Sequence, residues 1–419
     1  MHGLTAVLTA LLLVLFPLVA SALPTASPEE VGLSKERLGR IAPALARQIE
    51  AKSFPGAVAM VVRKGKIAYF ETVGQLDPKT SAPMPKDAIF RLYSMTKPFT
   101  SVAAMMLVEE GRIRLTDPVG MYLPQLAKLD VLVQTTDSSG KTSFTTVPAQ
   151  RPVQVYDLLR HTSGLVYGSF TPNARIKELY AEANVNWQGV TPQEQLASFA
   201  KVPLAHQPGT AWEYGMTDIA GRVIEAVTGT SLSRFLDERL FKPLRMIDTT
   251  FHVPSQQVKR LAQPLATDKA TGKPITLYDV TVAPKNDAGG AGAAGTTMDY
   301  ARFLQMLANG GQLDGQRLLA RATVRHMTSD HLGDIKPAMP TLPPGYGFGL
   351  GFAVRRADGL NGAPGSAGEF NWGGAGGTTF WVDPKEQLVA VLMTQAQPGP
   401  SQREFKELFR QLVYQAIVD

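Results

Sequence analysis

The sequence predicts an α/β (α+β) fold: an antiparallel sheet flanked by helices, built jointly by the two ends of the chain, with a mainly helical domain inserted between them. Three observations carry this expectation. Runs of strand character lie near the start, at 56–62 and 66–70, and return near the end, at 347–354, 377–382 and 387–394. Between about Arg112 and Asp287, helical patterns alternate with long loops punctuated by Pro and Gly. The chain then closes on a helix whose Phe405, Leu408, Phe409, Leu412, Val413, Ala416 and Ile417 form one apolar face. The expected division is therefore 23–111 with 288–419 as the sheet domain and 112–287 as the insertion, with no internal repeat.

Taken in order, residues Leu4 to Val19 are almost wholly apolar and lead to Ala20-Ser21-Ala22, an A-x-A cleavage pattern. This reads as a signal peptide over residues 1–22, cleaved after Ala22, and a periplasmic or secreted protein. The segment before the run holds His2 but no Lys or Arg, which keeps an uncleaved membrane anchor as the alternative. No later run is apolar for long enough to span a bilayer, and the absence of cysteine fits an oxidising compartment without proving it. Hydrophobic content of 44% and charged content of 19% describe an ordinary globular chain. Its net charge of +6 comes without a basic run interleaved with aromatics, so nucleic acid is not an expected partner.

Ser34 is placed to cap a helix with Leu38, Ile41, Leu45 and Ile49 on one stripe, kinked at Pro43. A hairpin turning at Arg63-Lys64-Gly65 follows, then Ile89-Phe90 and a helix opened by Ser94. That helix carries Val102, Met105, Met106 and Val108 toward a core and stops at Gly111. Within the insertion, helices are expected over 154–160, 192–200 and 218–227. The last two strands should turn at Asp383-Pro384-Lys385, and the closing helix should start at Ser401, with Glu404 completing a capping box.

Ser94 begins a Ser-x-x-Lys with Lys97. Residues three apart on a helix share a face, so a neutral lysine can take the proton of the hydroxyl, while the helix start offers free N–H groups to an oxyanion. The motif is weak alone, because Ser138…Lys141 and Ser198…Lys201 repeat it. Context separates them: Ser138 sits in a polar turn and Ser198 where a helix is ending before Val202-Pro203. A second candidate is Tyr214, set between the Pro208-Gly209 turn and a helix capped by Thr217 or Asp218; its phenol could shuttle protons or simply pack. A third is Trp372-Gly373-Gly374-Ala375-Gly376-Gly377, whose glycines allow close backbone approach by a ligand or a flexible strand entry.

In sequence order, Ser94-Met95-Thr96-Lys97, Leu158-Leu159-Arg160-His161-Thr162-Ser163-Gly164-Leu165, Tyr214-Gly215-Met216 and Trp372-Gly373-Gly374 resemble the serine β-lactamase and penicillin-binding-protein superfamily. The nearest likeness is to the class C β-lactamase-like esterases, the family VIII carboxylesterases, and it runs from about Ser34 onward. The resemblance implies a β-lactamase/DD-peptidase-like fold, with Ser94 as nucleophile, Lys97 as its basic partner and Tyr214 as proton relay. It also implies an oxyanion hole from the backbone N–H groups of Ser94 and Ala375, and a substrate-binding edge from Trp372, Gly373, Gly374 and Met216. Gly292–Thr297 resembles a structural loop of the family, and His161 reads as structural.

Two departures bear on substrate. Lactamases of this class carry asparagine where this chain has Met216, and Lys-Thr-Gly where it has Trp372-Gly373-Gly374. Anionic β-lactams lose anchors there, whereas neutral esters do not. The implied activity is hydrolysis of short-chain carboxylic esters, with small-molecule esters as partners. The alternatives are a β-lactamase or D-amino-acid peptidase and, from a different class, a non-catalytic envelope scaffold. No Gly-x-Ser-x-Gly is present, and the six histidines form neither His-x-His nor His-Glu-x-x-His, so no cofactor or metal is expected.

Overall fold

The computed structural model describes residues 22–269, 271–339 and 342–419; the apolar leader Leu4–Val19 lies outside the described residues. At its centre is an eight-stranded antiparallel sheet. The strands are β1 (Gly56–Arg63), β2 (Lys66–Asp77), β3 (Ala82–Pro83), β4 (Tyr346–Phe348), β5 (Ala353–Arg355), β6 (Phe370–Gly373), β7 (Thr379–Asp383) and β8 (Leu388–Thr394). They lie in the order β4-β5-β6-β7-β8-β1-β2-β3. The two ends of the chain therefore meet at β1 and β8, in register from Ala57 opposite Thr394 to Arg63 opposite Leu388.

Every residue of β1 is buried, because both faces of the sheet are covered. The period of two sorts its side chains. Ala57, Ala59 and Val61 face a cluster with Phe405, Phe409 and Val413, while Val58, Met60 and Val62 join the larger core on the other side. Two helices cover the first face, α1 (Ile41–Glu50) and α5 (Pro400–Tyr414). Neither starts as the sequence suggests. Ser34 does cap a short turn, accepting from Arg37 N at 3.3 Å, but the turn ends at Leu38 and α1 begins afresh. Pro43 then falls in the first turn of α1, where its missing N–H costs nothing, so it starts a helix instead of kinking one. Similarly, α5 opens on Pro400 with Gly399 as N-cap and no side-chain cap, which moves Ser401 inside the helix and leaves the expected capping box unformed.

Behind the other face, α2 (Lys97–Glu109) runs through the middle of the molecule with eleven of its residues buried. Phe99 meets Phe303 edge-on at 4.7 Å and Phe241 at 5.2 Å. Gly111, at φ 68°, takes the left-handed conformation that ends this helix. It packs beside α3 (Asp218–Thr228), and α4 (Thr297–Ala308) lies between it and the sheet. Residues 112–287 supply shorter helices at Val155–Leu159, Ala174–Glu182 and Pro192–Phe199. They also supply an unforeseen antiparallel hairpin, Asp130–Thr136 with Thr142–Pro148. Its second strand is exposed throughout, so no buried face marked it in the hydrophobic pattern. Among the described residues no helix is long and apolar enough to cross a membrane.

The closing helix should be a major source of stability. Phe405 is fully buried and meets Phe54 edge-on at 4.9 Å. Phe405→Ala should therefore lower the unfolding free energy by about 3–5 kcal/mol. Denaturant titration followed by circular dichroism checks this; a loss below about 1 kcal/mol would be inconsistent with a buried ring at that position.

Candidate active site

Ser94 stands in a single 3₁₀ turn, Tyr93–Thr96, that feeds directly into α2. The turn is held from several sides. The strand before it, Ile89–Arg91, pairs with Ala294–Thr296, and Leu92 N donates to Ala293 O at 2.9 Å. Ala293 N donates to Thr96 Oγ1 at 3.0 Å, and Tyr300 OH donates to Met95 O at 2.9 Å. The 292–297 loop thus braces the turn. Tyr93 adopts φ 47°, unusual for a residue with a side chain, and its hydroxyl accepts from Tyr278 N at 2.8 Å.

Two groups reach the Ser94 hydroxyl. Tyr214 OH donates to Ser94 Oγ at 2.7 Å, and Lys97 Nζ lies 3.3 Å from the same oxygen. Lys97 is only 1% exposed. Its Nζ also donates to Gly290 O at 2.8 Å and to Tyr167 OH at 3.0 Å, and it sits 4.6 Å above the centre of the Tyr214 ring. Tyr167 OH in turn donates to Asp218 Oδ2 at 3.4 Å. Asp218 is fully buried, and that burial pushes its carboxyl up from the ordinary aspartate range. Neither Tyr167 nor Asp218 was singled out for chemistry in the sequence. The available signal was the placement of Tyr167 just after His161-Thr162-Ser163-Gly164-Leu165.

The Tyr214 loop is fixed by backbone contacts. Glu213 N donates to His161 O at 2.9 Å, Gly215 N to His161 Nδ1 at 3.2 Å, and Met216 N to Leu165 O at 3.3 Å. Met216 is itself buried, at 3% exposure. Trp372, on β6, is 5.5 Å from the Tyr214 ring and 5.2 Å from that of Phe348. Gly373 ends β6, and the chain then turns tightly against the Ser94 turn. A Cβ on Gly374 would fall 2.3 Å from Leu92 O, so that residue could not carry a side chain in place, and one on Gly376 would press on the Tyr93 ring at 3.0 Å. Between them, the Ala375 carbonyl accepts from Gln402 Nε2 at 2.7 Å, while its N–H meets no acceptor among the described residues. The Ser94 N–H, in the opening turn of a helix, has no intrahelical acceptor either. Of the other serines, Ser138 occupies the exposed tip of the 130–148 hairpin and Ser198 the end of Pro192–Phe199. Among the described residues no cluster of three or more His, Cys, Asp or Glu side chains is placed to hold a metal ion.

His161 is buried beside Tyr214, with ring centres 5.0 Å apart, and its Nδ1 acts as an acceptor. Burial, reinforced by the nearby Lys97, holds the imidazole well below its usual value, so it is neutral. The unfolded chain then binds more protons than the native one below about pH 6.5, and stability contributed by neutral His161 falls as pH drops through that value. Asn at this position could keep the acceptor and tolerate φ 60°. The difference in melting temperature between wild type and His161→Asn should therefore shrink steadily from about pH 8 to about pH 5. A difference independent of pH would exclude a neutral buried imidazole.

With this geometry in hand, comparison with known proteins agrees with the fold. The family profile described as Beta-lactamase matches residues 41–415. Esterase EstB of Burkholderia gladioli is 31% identical over 362 residues, covering 81% of this chain and 85% of its own. Protein Rv1367c of Mycobacterium tuberculosis is 36% identical over 366 residues, covering 84% and 88%. The solved structure of EstCE1, described as a hydrolase with promiscuous acyltransferase activity, superposes with a TM-score of 0.73 at 25% identity, covering 90% of this chain and 99% of that one. The chain belongs to the Beta-lactamase family and has its fold, an antiparallel sheet flanked by helices.

Proposed function

We propose that this protein is a serine carboxylesterase that cleaves short-chain esters through an acyl-enzyme on Ser94. The observation that carries the reading is the position of the Ser94 hydroxyl, 3.3 Å from a buried lysine amine and 2.7 Å from a phenol. A neutral Lys97 takes the proton of Ser94 as Oγ attacks the ester carbonyl. The oxyanion then meets the N–H groups of Ser94 and Ala375. Tyr214 protonates the departing alkoxide and recovers its proton from the Lys97 ammonium. A water molecule releases the acid by the same steps in reverse. Hydrolase and acyltransferase relatives support acyl transfer as the reaction class.

Met216 and Trp372 direct the reading toward neutral substrates, because a thioether and an indole supply neither amide nor ammonium to a substrate carboxylate. A charge-assisted hydrogen bond to such a group is worth about 1.5–3 kcal/mol, and its absence should disfavour anionic β-lactams. Transfer of the acyl group to an alcohol in place of water is a second reading, favoured by the description of EstCE1. The apolar leader supports export with cleavage after Ala22, which N-terminal sequencing of protein recovered from the cell envelope would test by finding Leu23 first.

Two measurements test the reading. Ser94→Ala should lower kcat for p-nitrophenyl butyrate by at least about a thousandfold and abolish labelling by a fluorophosphonate, and Lys97→Arg should be nearly inactive because guanidinium stays protonated. Ser138→Ala and Ser198→Ala should behave as wild type. Near-normal turnover in Ser94→Ala would remove the nucleophile assignment. Separately, kcat/KM for p-nitrophenyl acetate or butyrate should exceed that for nitrocefin or benzylpenicillin by at least about a hundredfold. The opposite order would make the protein a β-lactamase.

A further inference from the structure

Lys97 has more partners than proton exchange with Ser94 requires, and they are not interchangeable. A neutral amine carries two N–H donors and one lone pair, and its three neighbours here are Gly290 O, Tyr167 OH and Ser94 Oγ. Gly290 O can only accept, so it takes one N–H. The Tyr167 hydroxyl could donate or accept, and its second neighbour decides which. An ionised Asp218 has no hydrogen to give, so it draws the Tyr167 hydrogen to Oδ2. The Tyr167 oxygen is then left to accept the second N–H of Lys97. The one remaining position on the amine, its lone pair, faces Ser94.

A second observation points the same way. A Cβ added to Gly290 would fall 2.5 Å from Tyr167 OH and 2.6 Å from Asp218 Oδ2. The absence of a side chain at 290 is what lets the phenol and the carboxylate approach the carbonyl that holds Lys97. Asp218 Oδ1 is buried without a well-aligned hydrogen-bond partner, and the nearby backbone N–H groups of Asp218 and Gly290 favour the charged carboxylate.

We propose that Tyr167 and Asp218 are positioning residues for acyl transfer: Asp218 orients the Tyr167 hydroxyl, and Tyr167 aims the free lone pair of Lys97 at Ser94. The proposal rests on Ser94 being the nucleophile. It assigns the two active-site phenols different work, Tyr214 on the serine and Tyr167 on the lysine.

A pH dependence follows. The charged and titratable groups facing Asp218 are Lys97 on α2, Tyr167 and, beyond it, Tyr214 and the neutral His161, with Arg222 one turn along α3. Arg222 is itself engaged, pairing with Glu225 at 2.8 Å and donating to Asp287 O at 2.6 Å. Burial raises the Asp218 carboxyl, and Arg222 acts against that rise, as Lys97 does whenever its amine carries a proton. Once protonated, Asp218 donates to Tyr167, whose own hydrogen turns toward Lys97 and occupies the lone pair. Activity should then fail on the acid side as Asp218 gains its proton.

The test is a double-mutant cycle on the full-length enzyme, with kcat and KM for p-nitrophenyl butyrate measured from about pH 5 to about pH 10. Tyr167→Phe should lower kcat roughly ten- to a hundredfold, with KM within about twofold of wild type. Asp218→Ala should have a similar effect alone and no further effect in the Tyr167→Phe background, because it acts only through that hydroxyl. Asp218→Asn keeps an acceptor oxygen, so it should recover most of kcat while shedding the acid-side loss that Asp218 causes. Wild-type kcat in Tyr167→Phe, or an undiminished effect of Asp218→Ala in the Tyr167→Phe background, overturns the proposal. Should Asp218→Ala fail to fold by circular dichroism, Asp218→Asn decides: an unchanged acid limb in that folded variant also overturns it. Ser94→Ala assayed alongside keeps the two ideas apart, since activity there would sink the nucleophile and not merely its positioning.

Discussion

Burial of the Lys97 amine is the constraint on which the rest of this structure depends. An ammonium or amine removed from water must find hydrogen-bond partners, and the loss is severe if it does not. Here the partners come from three separated parts of the chain: the Ser94 turn, the loop at Tyr167 and the loop at Gly290. Ser94 lies one turn from Lys97, but Tyr167 and Gly290 reach Nζ only when their distant loops are packed against α2. The site therefore exists only in the assembled fold. Conversely, the brace formed by Ala293, Thr96, Met95 and Tyr300 leaves the Ser94 turn little freedom to rearrange.

Aromatic packing completes the enclosure. Tyr214 lies within 5.5 Å of His161, Tyr167 and Trp372, measured between ring centres. Such contacts exclude water around the lysine, which strengthens its polar interactions. They also place a neutral imidazole where a charged one would repel Lys97. His161 accordingly serves geometry: its backbone carbonyl and Nδ1 hold the two residues adjoining Tyr214.

What the sequence made legible follows from distance along the chain. Ser94 and Lys97 share their spacing with the other two Ser-x-x-Lys pairs, and the apolar helix that Ser94 opens is what separated them from Ser138 and Ser198. Tyr214 could be recognised because its loop chemistry is local, although its meeting with Ser94 spans 120 positions. Tyr167 reaches Lys97 across 70 positions and Gly290 across 193, and neither pairing leaves a trace in spacing. Most of the sheet was legible through its apolar strands, although 347–354 divides into β4 and β5 and β6 was hidden among its glycines. The 130–148 hairpin was not, because only Val131 and Leu132 on it are buried and its second strand is exposed throughout. The helix starts at Ile41 and Pro400 differ from expectation where a proline falls in the first turn, a place that its missing N–H suits.

The pairing of β1 with β8 has a consequence for biogenesis. Thr394 closes onto Gly56 across 338 positions, and the Phe405 helix that covers β1 is encoded later still. A ribosome will have made the strands and helices of the middle of the chain long before β1 acquires its neighbour. Until then one long edge of β1 stays unpaired and its apolar face uncovered, the state in which nascent chains are held by chaperones or aggregate. The central sheet cannot lock before nearly the whole chain has been made.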